Sequence, residues 1–303
     1  MLAIVIPYYN YQYFKETLDS LSDQTNKKFI VYIGNDASNN DPLLLLKKYK
    51  FNFIYKKFET NLGSISLVKQ WERCIEMTKN EEWIQILGDD DILDINFVSA
   101  FYDNIEEINS NNIDVIRFAS RYIDNFSRPL KEYSDFHHPK IELASDSFFR
   151  KYKGNSRSSL SEHIFRREVY KKYNFFEYPL AWYSDDRAWL DFSNFKNIYT
   201  INDSIVSVRV TNVSISGQNS NYFLKKKARH LFFKYLVYSK LFFFSKNQKI
   251  EFLLEFGIQL KEQHKINSKN ILYITFQLFR IGAYVSMIKF IRRMYIAKYK
   301  NLK

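Results

Sequence analysis

Over residues 1 to 120, short strand-like runs alternate with segments of helical period, and that alternation limits the fold more than any other feature of the chain. Leu2 to Ile6, Phe29 to Ile33, Phe51 to Tyr55, Trp83 to Leu87 and Asp114 to Phe118 are rich in Ile, Val, Phe and Tyr, residues that fit a buried, pleated surface. Between them Phe14, Leu18 and Leu21 recur at helical spacing, as do apolar positions within Leu43 to Lys48, Leu67 to Met77 and Phe97 to Ile108. Strands that alternate with helices are joined by parallel crossovers, so the expectation is an α/β fold with a doubly wound, mostly parallel sheet. Ligands of such sheets collect at the carboxyl ends of the strands. After the first four strands come PYYN, GNDAS, ETNLG and GDDD, each polar, turn-forming and chemically capable.

The last of these is the most constrained. WIQILGDDDILD, residues 83 to 94, runs from a buried strand straight into three aspartates. Carboxylates this close repel one another and hold protons unless a cation shares them, so the run reads as a receptor for a metal ion or a cationic group. The chain has seven glycines, no G-x-G-x-x-G and no G-x-x-x-x-G-K-[ST], and so lacks the usual means of cradling phosphate on backbone N–H groups. Carboxylate-bound Mg²⁺ or Mn²⁺ would supply that counter-charge, because hard oxygens hold the hard ion and the ion bridges a diphosphate.

Composition narrows the classes further. A chain of 303 residues with 28 Phe and 23 Tyr has material for a large packed domain and a satellite. Its one cysteine, Cys74, shares an apolar helical stripe with Leu67, Val68 and Trp71, which suits a buried thiol in a reducing, cytoplasmic compartment. MLAIVIPYYN has no basic leader segment and breaks at Pro7, so it is expected to be a first strand and not a signal peptide. The net charge of +12 is unevenly placed: residues 1 to 220 carry 27 Lys and Arg against 30 Asp and Glu, leaving −3, whereas residues 221 to 303 carry 18 against 3, leaving +15. Nucleic-acid enzymes bring basic residues to the cleft, and this prospective cleft is slightly acidic, so no nucleic-acid partner is expected.

IPYYN, NDAS, NLG and GDDD, in this order and spacing, resemble the nucleotide-sugar-binding half of a GT-A, Rossmann-like glycosyltransferase of family 2. The resemblance covers roughly residues 1 to 215 and implies an inverting enzyme that uses a nucleotide-diphosphate sugar and a divalent metal. It implies that Tyr9, within a donor motif that also includes Pro7 and Asn10, stacks on the base. By the same carry-over Asp36 binds base or ribose, Asn61 belongs to the donor loop, and Asp90 ligates the metal. The family's first D-x-D position is Gly88 here, which passes the ribose contact to Asp89 and leaves Asp91 as a further donor contact. Asn35 replaces the first Asp of the second motif.

LAWYSDDRAWLDF, residues 180 to 192, sets Asp185 and Asp186 at the head of a helix-period run. One carboxylate facing the anomeric carbon suffices to deprotonate an acceptor hydroxyl, and the resemblance puts that general base on Asp186. On a bland reading Ser184 and Asp185 merely cap a helix. Trp182 and Trp189 are candidates for an apolar wall, GNSRSSLSEHIFRREVYKKY, residues 154 to 173, reads as a polar loop entering a helix, with Ser158, Ser159 and Glu162 near the acceptor and His163 structural. In SVRVTNVSIS, residues 207 to 216, Arg209 is the one cation that could meet a diphosphate.

These readings divide the chain into a catalytic domain, residues 1 to 220, with a donor half to 120 and an acceptor half from 121, and a helical tail from 221. The tail interleaves Lys and Arg with large aromatics. Ile271 to Ile291 is long enough to span a bilayer, but Arg280 and Lys289 would each cost about 2.5–3.5 kcal/mol at its centre. Peripheral association with an anionic membrane face is therefore preferred to a span, with packing or homo-oligomer contact as the alternative. The expected acceptor is a glycan or lipid-linked saccharide in surface polysaccharide synthesis. The rival functions are a sugar nucleotidyltransferase and a degenerate transferase acting as a membrane scaffold.

Overall fold

The computed structural model describes residues 1–210, 221–263 and 265–300, and the chain divides into two compact units, Met1–Asn221 and Tyr222–Lys303. In the first, β1 (Leu2–Tyr8) is buried at every residue but Pro7 and reads as a continuous apolar run because both faces of the sheet are covered. Leu2, Ile4 and Ile6 are each fully buried, which contributes roughly 1.5–3 kcal/mol per side chain. Helix α1 (Phe14–Ser22) leads to β2 (Phe29–Asn35), α2 (Leu43–Leu46) to β3 (Phe53–Lys57), and α3 (Leu67–Ile75) to β4 (Trp83–Ile86). These four strands pair in parallel, with Ile4 beside Val31 on one side and Gln85 on the other.

After β4 come β5 (Ile92–Leu93), α4 (Phe97–Asp103), α5 (Ile105–Ser110), β6 (Val115–Ile123), β7 (Ile141–Leu143), α6 (Ala144–Tyr152), β8 (His163–Arg166), α7 (Arg167–Tyr173), α8 (Ser184–Phe192) and β9 (Asn197–Arg209). The described strands form one nine-stranded sheet in the order β3-β2-β1-β4-β8-β6-β9-β5, with β7 also on β9. Six strands run one way, so the expected mostly parallel α/β sheet is present, and β8 is wedged antiparallel between β4 and β6.

Two expectations change. The segment 154 to 173 contains the strand β8, whose four residues are too few to show a period. The helix expected over Phe97 to Ile108 is two helices that meet at Asn104, whose side-chain amide donates to the Ala100 carbonyl (2.8 Å) and whose oxygen accepts from the Tyr199 hydroxyl (2.7 Å).

Cys74 is fully buried, and burial pushes its thiol up to about 12, as befits an inert packing group. Its sulfur lies where a Cβ on Gly34 would stand, 2.3 Å away, with Phe58 Cε2 at 2.9 Å.

The second unit contains α9 (Tyr222–Tyr235), α10 (Lys246–Glu262), α11 (Ser268–Arg280) and α12 (Tyr284–Lys300) around Phe232, Phe233, Phe252, Phe256 and Leu278. Ser245 and Gln248 close a capping box on α10, and Asn267 caps α11. The stretch Ile271 to Ile291 is broken between α11 and α12 at Gly282, which sits at φ +67, and among the described residues no helix is long and apolar enough to cross a membrane.

Gly34→Ala should destabilise the protein by about 1–3 kcal/mol, the usual cost of overpacking a core. Adding Cys74→Ala should recover part of the loss by vacating the contested volume. Urea denaturation of the two single variants and the double variant checks this, and additive losses would show that the contact does not limit the site.

Candidate active site

Carboxylates fasten the loops at the carboxyl ends of the strands in pairs, β4 to β1 through Asp89 and β2 to β3 through Asp36. Asp89 Oδ2 accepts from the backbone N–H of Tyr9 (2.7 Å) and of Asn10 (2.6 Å), so the first and fourth motifs share one oxygen. Pro7 stands two residues earlier in β1 opposite Gly34, and the Tyr9 ring is 52% exposed. Asn10 uses its own side-chain oxygen on Gln12 N–H (3.1 Å).

Asp36 is buried and fully engaged. It accepts from Leu62 N–H (2.7 Å) and Gly63 N–H (2.8 Å), and Arg73 pairs with it from α3. That guanidinium also lies 3.9 Å above the Phe58 ring. A Cβ on Gly63 would stand 2.5 Å from Asp36 Oδ2, which is why the NLG motif ends in glycine. Asn61 shapes this loop by accepting from Ser64 N–H (2.9 Å). Asn35 is a structural substitute: its oxygen takes Ser38 N–H (2.8 Å) and its amide donates to Tyr55 (2.9 Å).

The three aspartates have three different environments. Asp91 is buried, with Oδ1 accepting from Arg209 N–H (2.9 Å) and Oδ2 from the Ser161 hydroxyl. Asp89 is tied to the β1 loop. The half-buried Asp90 carboxylate has no hydrogen-bond or ion-pair partner among the described residues, and only its backbone carbonyl is used, by Arg209 Nε (3.0 Å). Burial pushes Asp89 and Asp90 up to about 6 and Asp91 up to about 7, with Asp89 adding repulsion on Asp90, and Asp90 on Asp91. A Cβ on Gly88 would meet Asp91 Oδ2 at 2.8 Å and Asp90 Oδ1 at 3.2 Å.

Arg209 is neither solvated nor spare. It is 4% exposed, and besides Asp90 its guanidinium donates to the Asp124 carbonyl (2.7 Å), Glu16 (2.7 Å) and Ser127 (2.9 Å) and lies 4.1 Å over the Tyr13 ring. Residues 211 to 216 of the SVRVTNVSIS segment lie outside the described residues.

Asp185 and Asp186 line a cavity of about 480 Å³ together with Arg209, Lys151 and Trp182. They enter α8 from a strained approach, since Leu180, Ala181 and Tyr183 have φ of 60, 53 and 73 without being glycine. Ser184 does not cap the helix: its hydroxyl accepts from Tyr178 N–H (3.3 Å), and the cap position is Tyr183, whose side chain makes no capping hydrogen bond to the helix. Lys151 Nζ holds Asp186 Oδ1 at 2.6 Å. Burial alone would push that ammonium down, but the charges of Asp186 and Asp185 outweigh it and raise it. Asp185 is pushed up to about 7 by burial and by Asp186.

Of the acceptor-side candidates, Ser158 and Ser159 line the cavity, whereas Glu162 is fully buried against Arg157 (3.2 Å). Burial would raise the Glu162 carboxyl, but Arg157, His163 and the Ser159 hydrogen bond together outweigh it and hold Glu162 down to about 2. His163 is structural, stacked 4.2 Å from Trp189. Trp189 is core, and Trp182 remains on the cavity wall. Lys151, Ser161 and Arg73 escaped the sequence reading, because each meets its carboxylate through tertiary contact from another element. Among the described residues no group of three or more His, Cys, Asp or Glu side chains could hold a metal ion.

Residues 3–174 match the model of glycosyl transferase family 2. The chain belongs to this family. Glycosyltransferase membership removes the nucleotidyltransferase reading. Residues 1–349 of TarS from S. aureus, in a crystal structure with UDP-GlcNAc, are similar at TM-score 0.65 and 17% identity, over 92% of this chain and 80% of that one. A further crystal structure of TarS 1–349 gives a TM-score of 0.61 at 16% identity, over 99% and 91%. For S. aureus TarS the values are 0.59 and 18%, over 89% of this chain and 44% of that one. These likenesses show a shared GT-A fold. No curated protein matches the chain.

The raised carboxyls give a signed pH dependence. With folded pKa values near 6–7 and unfolded values near 4, these four carboxyls hold more protons in the native state, so their contribution to stability declines as pH rises from about 4 to about 7, against the opposite contribution of the buried His138, His163 and His230, which burial holds neutral. Asp90→Asn, which removes one titrating group and its repulsion of Asp91, should flatten that decline. Urea midpoints at both ends of the window check it, and an unchanged slope would contradict the assignment.

Proposed function

We propose that this family 2 enzyme moves a sugar, with inversion, from a nucleotide-diphosphate sugar to a hydroxyl of a glycan or lipid-linked acceptor. The observation that carries the reading is the division of labour among the carboxylates. Asp36, Asp89 and Asp91 are bound into the scaffold, whereas Asp90 is uncommitted and Asp186 has one oxygen held and the other without a hydrogen-bond partner among the described residues. TarS was crystallised with UDP-GlcNAc, which supports a nucleotide sugar of the UDP-hexosamine type as donor.

The residues fit a divalent metal held as Mg²⁺ or Mn²⁺ commonly is, by one or two carboxylates with phosphates and water completing the shell. Asp90 would hold it, and an ion there would relieve the crowding that raises Asp89 and Asp90. When bound, the metal offsets the charge of the departing diphosphate. Tyr9 is free to stack on the base, and the loop fastened by Asp36 and Asn61 shapes the donor pocket. Arg209 acts through the seat of Asp90 and Asp91 and not by direct donation. In the reaction the acceptor oxygen bonds to the anomeric carbon as the bond to the diphosphate breaks, and the acceptor proton passes to Asp186 Oδ2. Lys151 orients that carboxylate, and Asp185 stands beside it.

The helical unit supports peripheral membrane association. Leu272, Phe276, Phe279, Val285 and Ile288 are 54–71% exposed on α11 and α12, among Arg280, Lys289, Arg292 and Arg293. Apolar side chains that insert beside basic residues that meet anionic headgroups form an interfacial surface. It would place the enzyme on the cytoplasmic membrane face, in surface polysaccharide synthesis.

Asp186→Asn should keep donor binding and lose about 10²- to 10⁴-fold in turnover, the usual reach of general base catalysis. Asp90→Asn should instead remove the response to Mn²⁺. Steady-state turnover of UDP-sugars with and without Mn²⁺, alongside calorimetric donor binding, separates the two roles. Near wild-type turnover in both variants would defeat the mechanism.

On the membrane side, Phe276→Asp with Ile288→Asp should abolish flotation of the intact chain with phosphatidylglycerol vesicles, while raised salt should weaken it only in part. Retained flotation would favour packing or oligomer contact for this face.

A further inference from the structure

A second cavity lies in the helical unit, remote in sequence from every motif above. It has a volume of about 690 Å³ and is bounded by α9, α10 and the start of α11. Two lysines line it, Lys234 and Lys265, and among the described residues no acidic one does. Two of the three acids of α10 are engaged elsewhere, Glu255 with Arg229 (2.8 Å) and Glu262 with Lys226 (3.0 Å), while the third, Glu251, is not among the lining residues and Lys265 donates to the neutral Gln263 (2.8 Å). The positive charge of the cavity is therefore not cancelled from within its own lining.

Two independent features point the same way. His230 lines the cavity, is 4% exposed, and its Nδ1 is buried without a hydrogen-bond partner. An unpartnered buried ring nitrogen is costly and calls for a ligand atom. The opposite wall includes Asn267 and Asn270, at the amino-terminal turn of the 13-residue α11, where backbone N–H groups and the helix dipole favour negative charge. Asn267 meets only one of those N–H groups, that of Asn270 (2.8 Å). Phe256 and Tyr238 complete the lining with aromatic surface, and Phe256 stacks on His230 at 5.5 Å.

We propose that this cavity binds a phosphate ester of a hydroxyl-rich carbon skeleton, such as a sugar phosphate, away from the catalytic cavity. Lys234, Lys265 and the start of α11 meet the phosphate, His230 and the asparagine amides meet hydroxyls, and the aromatic rings meet the apolar face of the carbon skeleton. The two lysines favour an anionic group, and among the described residues the lining has no carboxylate for a cation. The inference rests on the helical unit alone and does not depend on the catalytic assignments.

The test uses the full chain without added nucleotide, because UDP is itself a phosphate ester, and variants of Lys234 and Lys265, which line this cavity and not the catalytic one, locate the binding. Glucose 6-phosphate is titrated by calorimetry, with glucose as the uncharged control. Binding of glucose 6-phosphate but not glucose is expected, weakened about tenfold or more in Lys234→Gln/Lys265→Gln, since each charge-assisted contact carries about that factor. His230→Phe keeps the ring stack and should also weaken it, and thermal melts confirm folding. A parallel arm measures vesicles of phosphatidic acid against phosphatidylcholine. Loss of glucose 6-phosphate binding alone in the lysine variant marks a soluble phosphate ester, and loss of both marks a lipid-borne one. No binding of glucose 6-phosphate, equal binding of glucose, or unchanged affinity in the lysine variant would each overturn the proposal.

Discussion

The catalytic unit is organised around the contact between Asp91 and Arg209. One aspartate oxygen takes the backbone N–H of Arg209 at the end of β9, and the other takes the Ser161 hydroxyl just before β8. The arginine in turn reaches the Asp90 carbonyl, the Asp124 carbonyl, and Glu16 on α1. Five separate stretches of chain meet at one buried ion cluster. Removing the guanidinium would leave Glu16 without its ion-pair partner and the Asp90 and Asp124 carbonyls without their donor, while losing the Asp91 carboxylate would leave the buried Arg209 N–H and Ser161 hydroxyl unsatisfied. The position of Asp90, one residue away, follows from this cluster and not from any property of its own side chain.

The same economy separates rigid from reactive carboxylates. A carboxylate whose lone pairs are filled by backbone N–H groups and arginines shapes a loop, as Asp36 and Asp89 do. One left partly open can work on a substrate. Lys151 does both for Asp186, since it offsets the charge and fixes the orientation without covering both oxygens. The strained backbone at Leu180, Ala181 and Tyr183 is tolerated just where α8 must present that carboxylate.

Much of this was legible in the sequence. The alternation of strands and helices gave the sheet, and the four polar segments after the strands gave the rim, because period and turn chemistry are local properties. What stayed hidden was pairing at long range. Nothing near HIFR shows that β8 will run antiparallel between β4 and β6, and nothing near Arg209 shows that its guanidinium is already satisfied. GDDD announces three like residues, yet their environments diverge because Tyr9, Asn10, Ser161 and Arg209 arrive from elsewhere. The helical unit showed its basic, aromatic character in composition, but its cavity depends on which residues α9, α10 and α11 bring face to face.

Gly88 has a consequence for how such a motif can change over time. The space a side chain would need at that position is held by the carboxylates of Asp91 and Asp90. Restoring the family's acidic residue at 88 would push against Asp91, and with it the seat that joins β4 to β9. The glycine and the buried aspartate thus constrain each other: a side chain at 88 can be admitted only if the Asp91 carboxylate gives way, so the two positions act as one unit of sequence.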